Sequence, residues 1–416
     1  MRVSSPMPDP LSSPAAPPWL SILGIGEDGR AGLSSAALRT LDAAEFVVGG
    51  ARHLRLVQPI AARTLAWPTP LSDAYAMILE RRGRPTCVLA TGDPFHYGVG
   101  AEMARLVPAE EIVCYPQPSA FSLAAARLGW SLPDCECVSL HGRALQRIIP
   151  YLQPQARILA LSWDGATAGR LAALLAARGF GGSMVTVLEA MGGPRERIRR
   201  MRAADFDLTE IDPLNTVAIE VEAAREARIV SLAPGLDDAW FDNDGQLTKA
   251  EVRAVTLSAL MPRAGQLLWD IGAGSGSVGI EWCLRHPRNS CIAIEQHPER
   301  AARIRGNATA FGVDALEVIV GRAPEALAVL PAPDAVFIGG GGLDPALFDA
   351  AWAALKPGGR MVVSAVTLET EVRLADLFAR HGGVLRHIAI SRAEPLGRLH
   401  GWRAALPVTQ WAVTKP

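Results

Sequence analysis

The sequence predicts an α/β protein made of two consecutive domains. Three observations predict it. Short apolar runs alternate with helical stretches from residue 19 onward, which is the pattern of mostly parallel sheets flanked by helices. Two of those runs end in glycine turns, Gly24-Ile25-Gly26 and Gly272-Ala273-Gly274-Ser275-Gly276. Between the two sets, residues 223–236 are charged and then punctuated by Pro and Gly, as a linker would be. A length of 416 residues also makes two domains the default.

Residues 1–18 are rich in Pro, Ser and Ala and read as a disordered leader, without the apolar stretch of a signal peptide. The first domain is expected over residues 19–222. A strand at Trp19–Gly24 enters the Gly24-x-Gly26 turn, a helix follows over Ser34–Ala43, and a second strand over Glu45–Gly50. A third strand, Thr86–Ala90, runs into Thr91-Gly92-Asp93-Pro94, a rigid turn presenting backbone groups and one carboxylate. Ile112–Tyr115 leads into Pro116-Gln117-Pro118-Ser119-Ala120 and a helix through Arg127. A further α/β set spans Val138–Val221, with strands at Arg157–Ser162, Met184–Glu189 and Asn215–Val221 and a helix over Gly169–Arg178. Arg195, Arg197, Arg199, Arg200 and Arg202 read as a solvated helix face; docking of a substrate with many carboxylates is the functional alternative.

Composition narrows the function. Hydrophobic residues make up 49% and charged residues 20%, which suits a well-packed soluble protein. A net charge of −1 and the lack of aromatic–basic interleaving argue against a nucleic-acid binder. No run of 18 apolar residues exists, so no membrane span is expected. The six cysteines form no Cys-x-x-Cys pair and no metal set with a neighbouring His. They read as reduced thiols of a cytoplasmic protein.

The second domain is expected over residues 237–416. Thr248 fits a helix N-cap, with Glu251 at capping-box spacing; the functional reading is that this segment folds over a cofactor. Leu267–Ile271 is a strand, Gly272–Gly276 a tight turn, and a second strand ends at Glu295. Glycines let the backbone bend and approach a ligand. The free N–H groups of the turn hold an anionic group, and a carboxylate about 20 residues on accepts bonds from ribose hydroxyls. Gly274, Gly276 and Gly279 also satisfy Gly-x-Gly-x-x-Gly, so a nicotinamide cofactor and an oxidoreductase remain in play. Asp270, just before the turn, favours S-adenosyl-L-methionine, because an acid suits an ammonium and opposes a pyrophosphate. Ala315–Leu327 reads as strand, turn and helix, and Asp334–Gly342 as a strand running into four glycines.

Leu247-Thr248-Lys249, Trp269-Asp270-Ile271-Gly272-Ala273-Gly274-Ser275-Gly276, Ala293-Ile294-Glu295, Ala323-Pro324-Glu325 and Phe337-Ile338-Gly339 together resemble the CbiT-type precorrin methyltransferases of cobalamin biosynthesis. Gly24-Ile25-Gly26, Val48-Gly49-Gly50, Gly92-Asp93-Pro94 and Ser139-Leu140-His141-Gly142 resemble the CbiE-type precorrin methyltransferases. The resemblance implies a two-subdomain tetrapyrrole methylase fold followed by a class I (Rossmann-like) SAM-dependent methyltransferase domain. It implies two S-adenosyl-L-methionine sites: Gly24, Gly26, Gly92, Asp93, Pro94, Ser119 and Ala120 in the first, and Thr248, Asp270, Gly272, Ala273, Gly274, Ser275, Gly276, Glu295 and Ala323 in the second. Two departures stand out. Glu27 occupies the place of the usual proline, and Arg322 that of the usual acid, so the adenine contact is carried to Ala323.

The fused order implies methylation of precorrin-6Y at C5 by the first domain and at C15 by the second, with loss of the C12 acetate carboxyl as CO₂. A cobalt-containing substrate is the alternative. Positioning and water exclusion supply most of such a reaction, so no metal is expected and no catalytic residue is singled out. Self-association into a dimer or tetramer is expected from relatives of both halves.

Overall fold

The computed structural model describes residues 18–339 and 344–416. Residues 1–17 of the expected leader lie outside the described residues, as do Gly340, Gly341 and Gly342 of the glycine run. The chain forms two compact units, residues up to 143 with 154–227, and residues 144–153 with 228–416.

The first unit holds two sheets. β1 (Leu20–Ile25), α1 (Ser35–Asp42), β2 (Phe46–Gly49), α2 (Ala51–Leu56), β3 (Arg63–Ala66), α3 (Ser72–Leu79), β4 (Thr86–Thr91), α4 (Gly100–Leu106) and β5 (Ile112–Tyr115) build the first. Its order is β3-β2-β4-β1-β5, and its ladders are parallel. Leu20, Ile22, Phe46, Val48 and Val88 pack on one face, and Leu23, Ile25, Val47 and Leu89 on the other. Burial of both faces explains why these strands read as continuous apolar runs. β3, α3 and α4 were not legible; β3 is a mostly exposed edge strand with no apolar alternation.

α5 (Ala120–Leu128), β6 (Cys135–Ser139), β7 (Arg157–Leu161), α6 (Thr167–Ala177), β8 (Met184–Glu189), β9 (Arg197–Arg202) and β10 (Asn215–Glu220) complete this unit. The second sheet runs β6-β7-β10-β8-β9, and every ladder except β6–β7 is antiparallel. The arginine run corrects the helical reading: Arg197, Arg199, Arg200 and Arg202 lie on strand β9, and Arg195 just before it. Arg197 and Arg199, two residues apart, project on one side of the strand. Both reach Glu189, whose side chain is 1% exposed, at 2.7 and 2.9 Å. Burial alone would raise the Glu189 pKa; bonds from Arg197, the Asp212 N–H and Arg199 outweigh it and hold the carboxyl below its ordinary range.

The second unit contains α7 (Ala250–Leu260), β11 (Leu267–Ile271), α8 (Ser277–Leu284), β12 (Ser290–Glu295), α9 (Pro298–Ala310), β13 (Leu316–Val320), β14 (Ala335–Ile338), α10 (Pro345–Ala354), β15 (Arg360–Ala365), α11 (Leu368–His381), β16 (Val384–Ile388), β17 (Ser391–Leu396), β18 (Leu399–Ala404) and β19 (Val408–Thr414). The main sheet runs β13-β12-β11-β14-β15-β19-β16. β13 to β15 are parallel, while β19 is antiparallel to both its neighbours. β17 and β18 form a separate hairpin. Trp269, Ile271, Ile294, Ile338, Val363 and Trp411 pack one face of the sheet with Phe348 and Leu374 of the helices.

Thr248 does not cap α7. Lys249 holds the N-cap position without a side-chain bond, and Glu251 pairs with Arg392 instead of closing a capping box. Among the described residues all six cysteines are free, no helix is long and apolar enough to cross a membrane, and no His/Cys/Asp/Glu group is arranged to hold a metal.

Candidate functional site

In the second unit a cavity of about 680 Å³ opens at the carboxy-terminal ends of the parallel strands. Thr248, Asp270, Gly272, Ala273, Gly274, Glu295 and Ala323 line it together. The turn after β11 needs its glycines: Gly272, Gly274 and Gly276 have φ of +72°, +59° and +77°, a region that side chains strain. A Cβ on Gly274 would stand 2.9 Å from the Gln246 carbonyl oxygen, and one on Gly276 2.6 Å from Ile304 Cγ2. Ser275 and Gly276 belong to the turn but not to the cavity wall. Ser275 is buried, and its carbonyl accepts from Asn307 Nδ2 at 2.9 Å.

Two carboxylates flank the turn. Asp270 is 1% exposed and accepts the Gly279 N–H at 2.9 Å. Burial, with a smaller contribution from the Glu295 charge, pushes its pKa up to about 7 despite that bond. Glu295 accepts the Gly274 N–H at 3.0 Å on one oxygen and the His297 N–H at 3.0 Å on the other. Each oxygen keeps a free lone pair for a hydroxyl donor.

This set fits S-adenosyl-L-methionine. A buried acid short of positive charge is matched by the ligand's ammonium, and the vicinal hydroxyls by Glu295. A pyrophosphate beside Asp270 would meet repulsion, which disfavours the nicotinamide alternative.

The segment before α7 forms part of the cavity wall through Gly245, Gln246, Leu247, Thr248 and Lys249. Asp244 bonds Arg300 at 2.8 Å and pairs with Arg303 at 3.2 Å. The Arg300 bond is the largest cause holding its pKa at about 2. Asn307 accepts the Asp242 N–H and donates to the Asp242 and Ser275 carbonyls, each at 2.9 Å. One buried amide thus links this segment to the glycine turn. Sequence reading missed Asn307, because a lone polar residue in a charged helix carries no signal of burial.

In the first unit, the expected residues gather at the carboxy-terminal ends of β1, β4 and β5. A Cβ on Gly24 would collide with the Gly92 carbonyl oxygen and stand 2.6 Å from the Gln117 nitrogen. The Gly92 N–H donates to the Ile25 carbonyl at 3.1 Å, and the Gln117 N–H to the Gly92 carbonyl at 3.1 Å. Asp93 is occupied locally, its Oδ1 accepting the Phe95 N–H at 2.9 Å. The Pro94 carbonyl accepts the Gly100 N–H at 2.9 Å. Ser119 caps α5, its Oγ accepting the Ser122 N–H at 3.1 Å, and Ala120 begins that helix. A Cβ on Gly26 would stand 2.5 Å from Asp28 Oδ1.

Beside Gly26, Glu27 is paired with Arg52 and, at 3.4 Å, with Arg195. Thr91 Oγ1 lies 3.0 Å from Arg52 Nη2 and 2.9 Å from His53 Nε2. Burial, with a contribution from Arg52, lowers the His53 pKa to about 4, so this imidazole is neutral at pH 7.

Residues 20–207 match the family of Tetrapyrrole (Corrin/Porphyrin) Methylases, and residues 239–415 the Precorrin methyltransferase domain. A precorrin-6Y C(5,15)-methyltransferase [decarboxylating] from Sinorhizobium sp is 54% identical over 399 residues, 96% of this chain and 97% of that protein. A protein of the same name from Mycobacterium tuberculosis (strain ATCC 25618 / H37Rv) is 39% identical over 399 residues, 95% of this chain and 99% of that protein. A cobalt-precorrin-6B C(15)-methyltransferase (decarboxylating) from Salmonella typhimurium is 35% identical over 167 residues, 39% of this chain and 85% of that protein.

Proposed function

Because the chain belongs to the family of decarboxylating precorrin-6Y C(5,15)-methyltransferases, we propose that it performs its two methyl transfers in two separate clefts, one in each unit. The enzyme methylates precorrin-6Y at C5 and C15 with S-adenosyl-L-methionine and decarboxylates it, within cobalamin biosynthesis. The first unit takes C5; the second takes C15 and the loss of the C12 acetate carboxyl as CO₂. The Salmonella protein's name pairs C15 methylation with decarboxylation in a match to 39% of this chain, which supports assigning both to one unit. Relatives matching 95% or more of the chain are named without cobalt, which favours the metal-free substrate.

The observation that carries this reading is the convergence of Asp270, the glycine turn and Glu295 on one cavity. When bound, the donor supplies an electrophilic methyl group on sulfur. Asp270 takes its ammonium, Glu295 its ribose hydroxyls, and Ala323 packs on its adenine. The turn's amides are not the free donors the sequence suggests, because the Gly272 and Ala273 N–H groups donate to the Ile294 carbonyl and the Gly274 N–H to Glu295. The segment from Gly245 to Lys249 excludes water from the reacting atoms. Gly24, Gly26, Gly92, Asp93, Pro94, Ser119 and Ala120 hold a second molecule in the first unit, where Gly24 and Gly92 let the loops that carry these residues pack closely against one another.

A homo-oligomer is part of the proposal. The β17–β18 hairpin exposes Leu396, Leu399 and Trp402, and an isolated two-stranded hairpin is marginal without a packing partner. Free thiols suit the cytoplasm, and a net charge of −1 leaves nucleic acid without a role. Calorimetry with S-adenosylhomocysteine tests the central claim. Two equivalents bind per chain, and one each in Gly24→Val and Gly274→Val. A single equivalent in the unaltered enzyme refutes the two-cleft division.

A further inference from the structure

Ser364 stands near the end of β15, is 7% exposed, and lines the cavity of the second unit. Its Oγ is buried without a hydrogen-bond partner. Among the described residues, it is the buried unpartnered side-chain atom on this wall. Folding thus leaves a hydroxyl desolvated and unused, an arrangement with a cost unless something else engages it.

Its position follows from register. Asp270 is level with Phe337, and Phe337 with Val362. Ser364, two residues beyond Val362, therefore projects from the same sheet face as Asp270, nearer the strand ends. Ser364 is paired with Gln410, whose Nε2 donates to Thr256 Oγ1 of α7 at 3.0 Å. The wall of the same cavity includes Phe337, Val366, Ile388 and Val408, and Val366, Val408 and Ile388 lie at the ends of the strands beside Ser364. Lys249, Arg322 and Arg392 line the same cavity but are exposed, and the half-buried Arg300 is already paired with Asp244 at 2.8 Å.

Losing CO₂ makes particular demands on a site. A buried cation would stabilise the carboxylate more than the neutral product and oppose its departure, because charge-assisted bonds are roughly twice as strong as neutral ones. A single neutral hydroxyl in an apolar wall orients the group with less of that penalty. We propose that Ser364 is a catalytic residue for the decarboxylation, its Oγ–H donating to the acetate carboxylate that leaves; this rests on the assignment of decarboxylation to the second unit. The bond between the acetate methylene and its carboxyl carbon breaks, and CO₂ departs. The electron pair passes into the conjugated macrocycle, and a proton from water completes the new methyl group. The exposed cations serve carboxylates that stay.

The test uses the full chain with precorrin-6Y and S-adenosyl-L-methionine, the products being weighed by mass spectrometry over time. Ser364→Ala keeps both methyl transfers within about threefold but slows CO₂ loss by about tenfold or more. A doubly methylated product that retains its carboxyl then accumulates. Ser364→Thr, which keeps the hydroxyl, restores CO₂ loss at least in part. Wild-type CO₂ loss in Ser364→Ala, or methylation and CO₂ loss falling in parallel, overturns the proposal. Failure of the unaltered enzyme to decarboxylate at all would instead overturn the functional reading beneath it. Because Oγ has no partner in the fold, Ser364→Ala is not expected to unfold the protein, and unchanged thermal unfolding checks this.

Discussion

Arg253 and Glu281 are both fully buried, and Arg253 Nε meets Glu281 Oε1 at 2.5 Å. Their remaining bonds go to the segment that leads to the cavity. Glu281 accepts the Gly235 and Leu236 N–H groups at 2.7 and 2.9 Å. Arg253 donates to Asp238 at 3.1 Å and to the carbonyls of Leu236 and Thr248. The pair fixes where residues 235–248 run.

Removing one partner leaves the other charge buried and two backbone amides unsatisfied. Glu281→Ala is therefore expected to destabilise the second unit by about 3–5 kcal/mol. Urea unfolding followed by tryptophan fluorescence measures this, and a change under 1 kcal/mol would contradict it.

Asp270 gives a pH dependence whose sign is fixed. Its pKa rises from 3.8 to about 7 in the fold, chiefly through burial. Without ligand the folded state then binds more protons than the unfolded state between those values, so this group makes stability fall as pH rises from about 4 to 7. A ligand ammonium selects the ionised carboxylate. Affinity for S-adenosylhomocysteine in a Gly24→Val background should therefore rise up to tenfold per unit as pH approaches about 7, then level off. Calorimetry between pH 5.5 and 8 reads this, and Asp270→Asn should abolish the slope.

Glu295→Ala removes the proposed ribose acceptor. Two bonds to a charged group are lost, so affinity at this site should fall by about 10- to 100-fold. A 2′-deoxy analogue should lose affinity for the unaltered protein and little for the variant; equal losses in both would remove Glu295 from the ribose contact.

Gly24→Ala places a Cβ against the Gly92 carbonyl oxygen. Two loops must separate, at a cost of about 1–3 kcal/mol. Product weighed after incubation with precorrin-6Y should lack one methyl group, and retention of both would remove this contact from the first site.

Legibility tracked the range of the interactions. Gly272 to Glu295 was readable because strand, turn, helix and second strand follow one another directly. Ser119 as the start of α5 was readable for the same reason. The arginine run was misread because β9 is set by Glu189, a partner on another strand. Thr248 was misread as a cap because its segment is positioned by Arg253, whose own partner lies 28 residues further on. Ser364 could not be found at all: one hydroxyl in an apolar strand looks the same whether it faces solvent, a neighbour or a cavity.

β19 occupies an inner place in its sheet, between β15 and β16. During synthesis, residues 408–414 must therefore emerge before the cavity-bearing sheet can be completed. The strands of the amino-terminal unit all lie before residue 221, so both its sheets have emerged while the other unit still lacks a central plank. Late truncations should consequently spare the first unit and unravel the second.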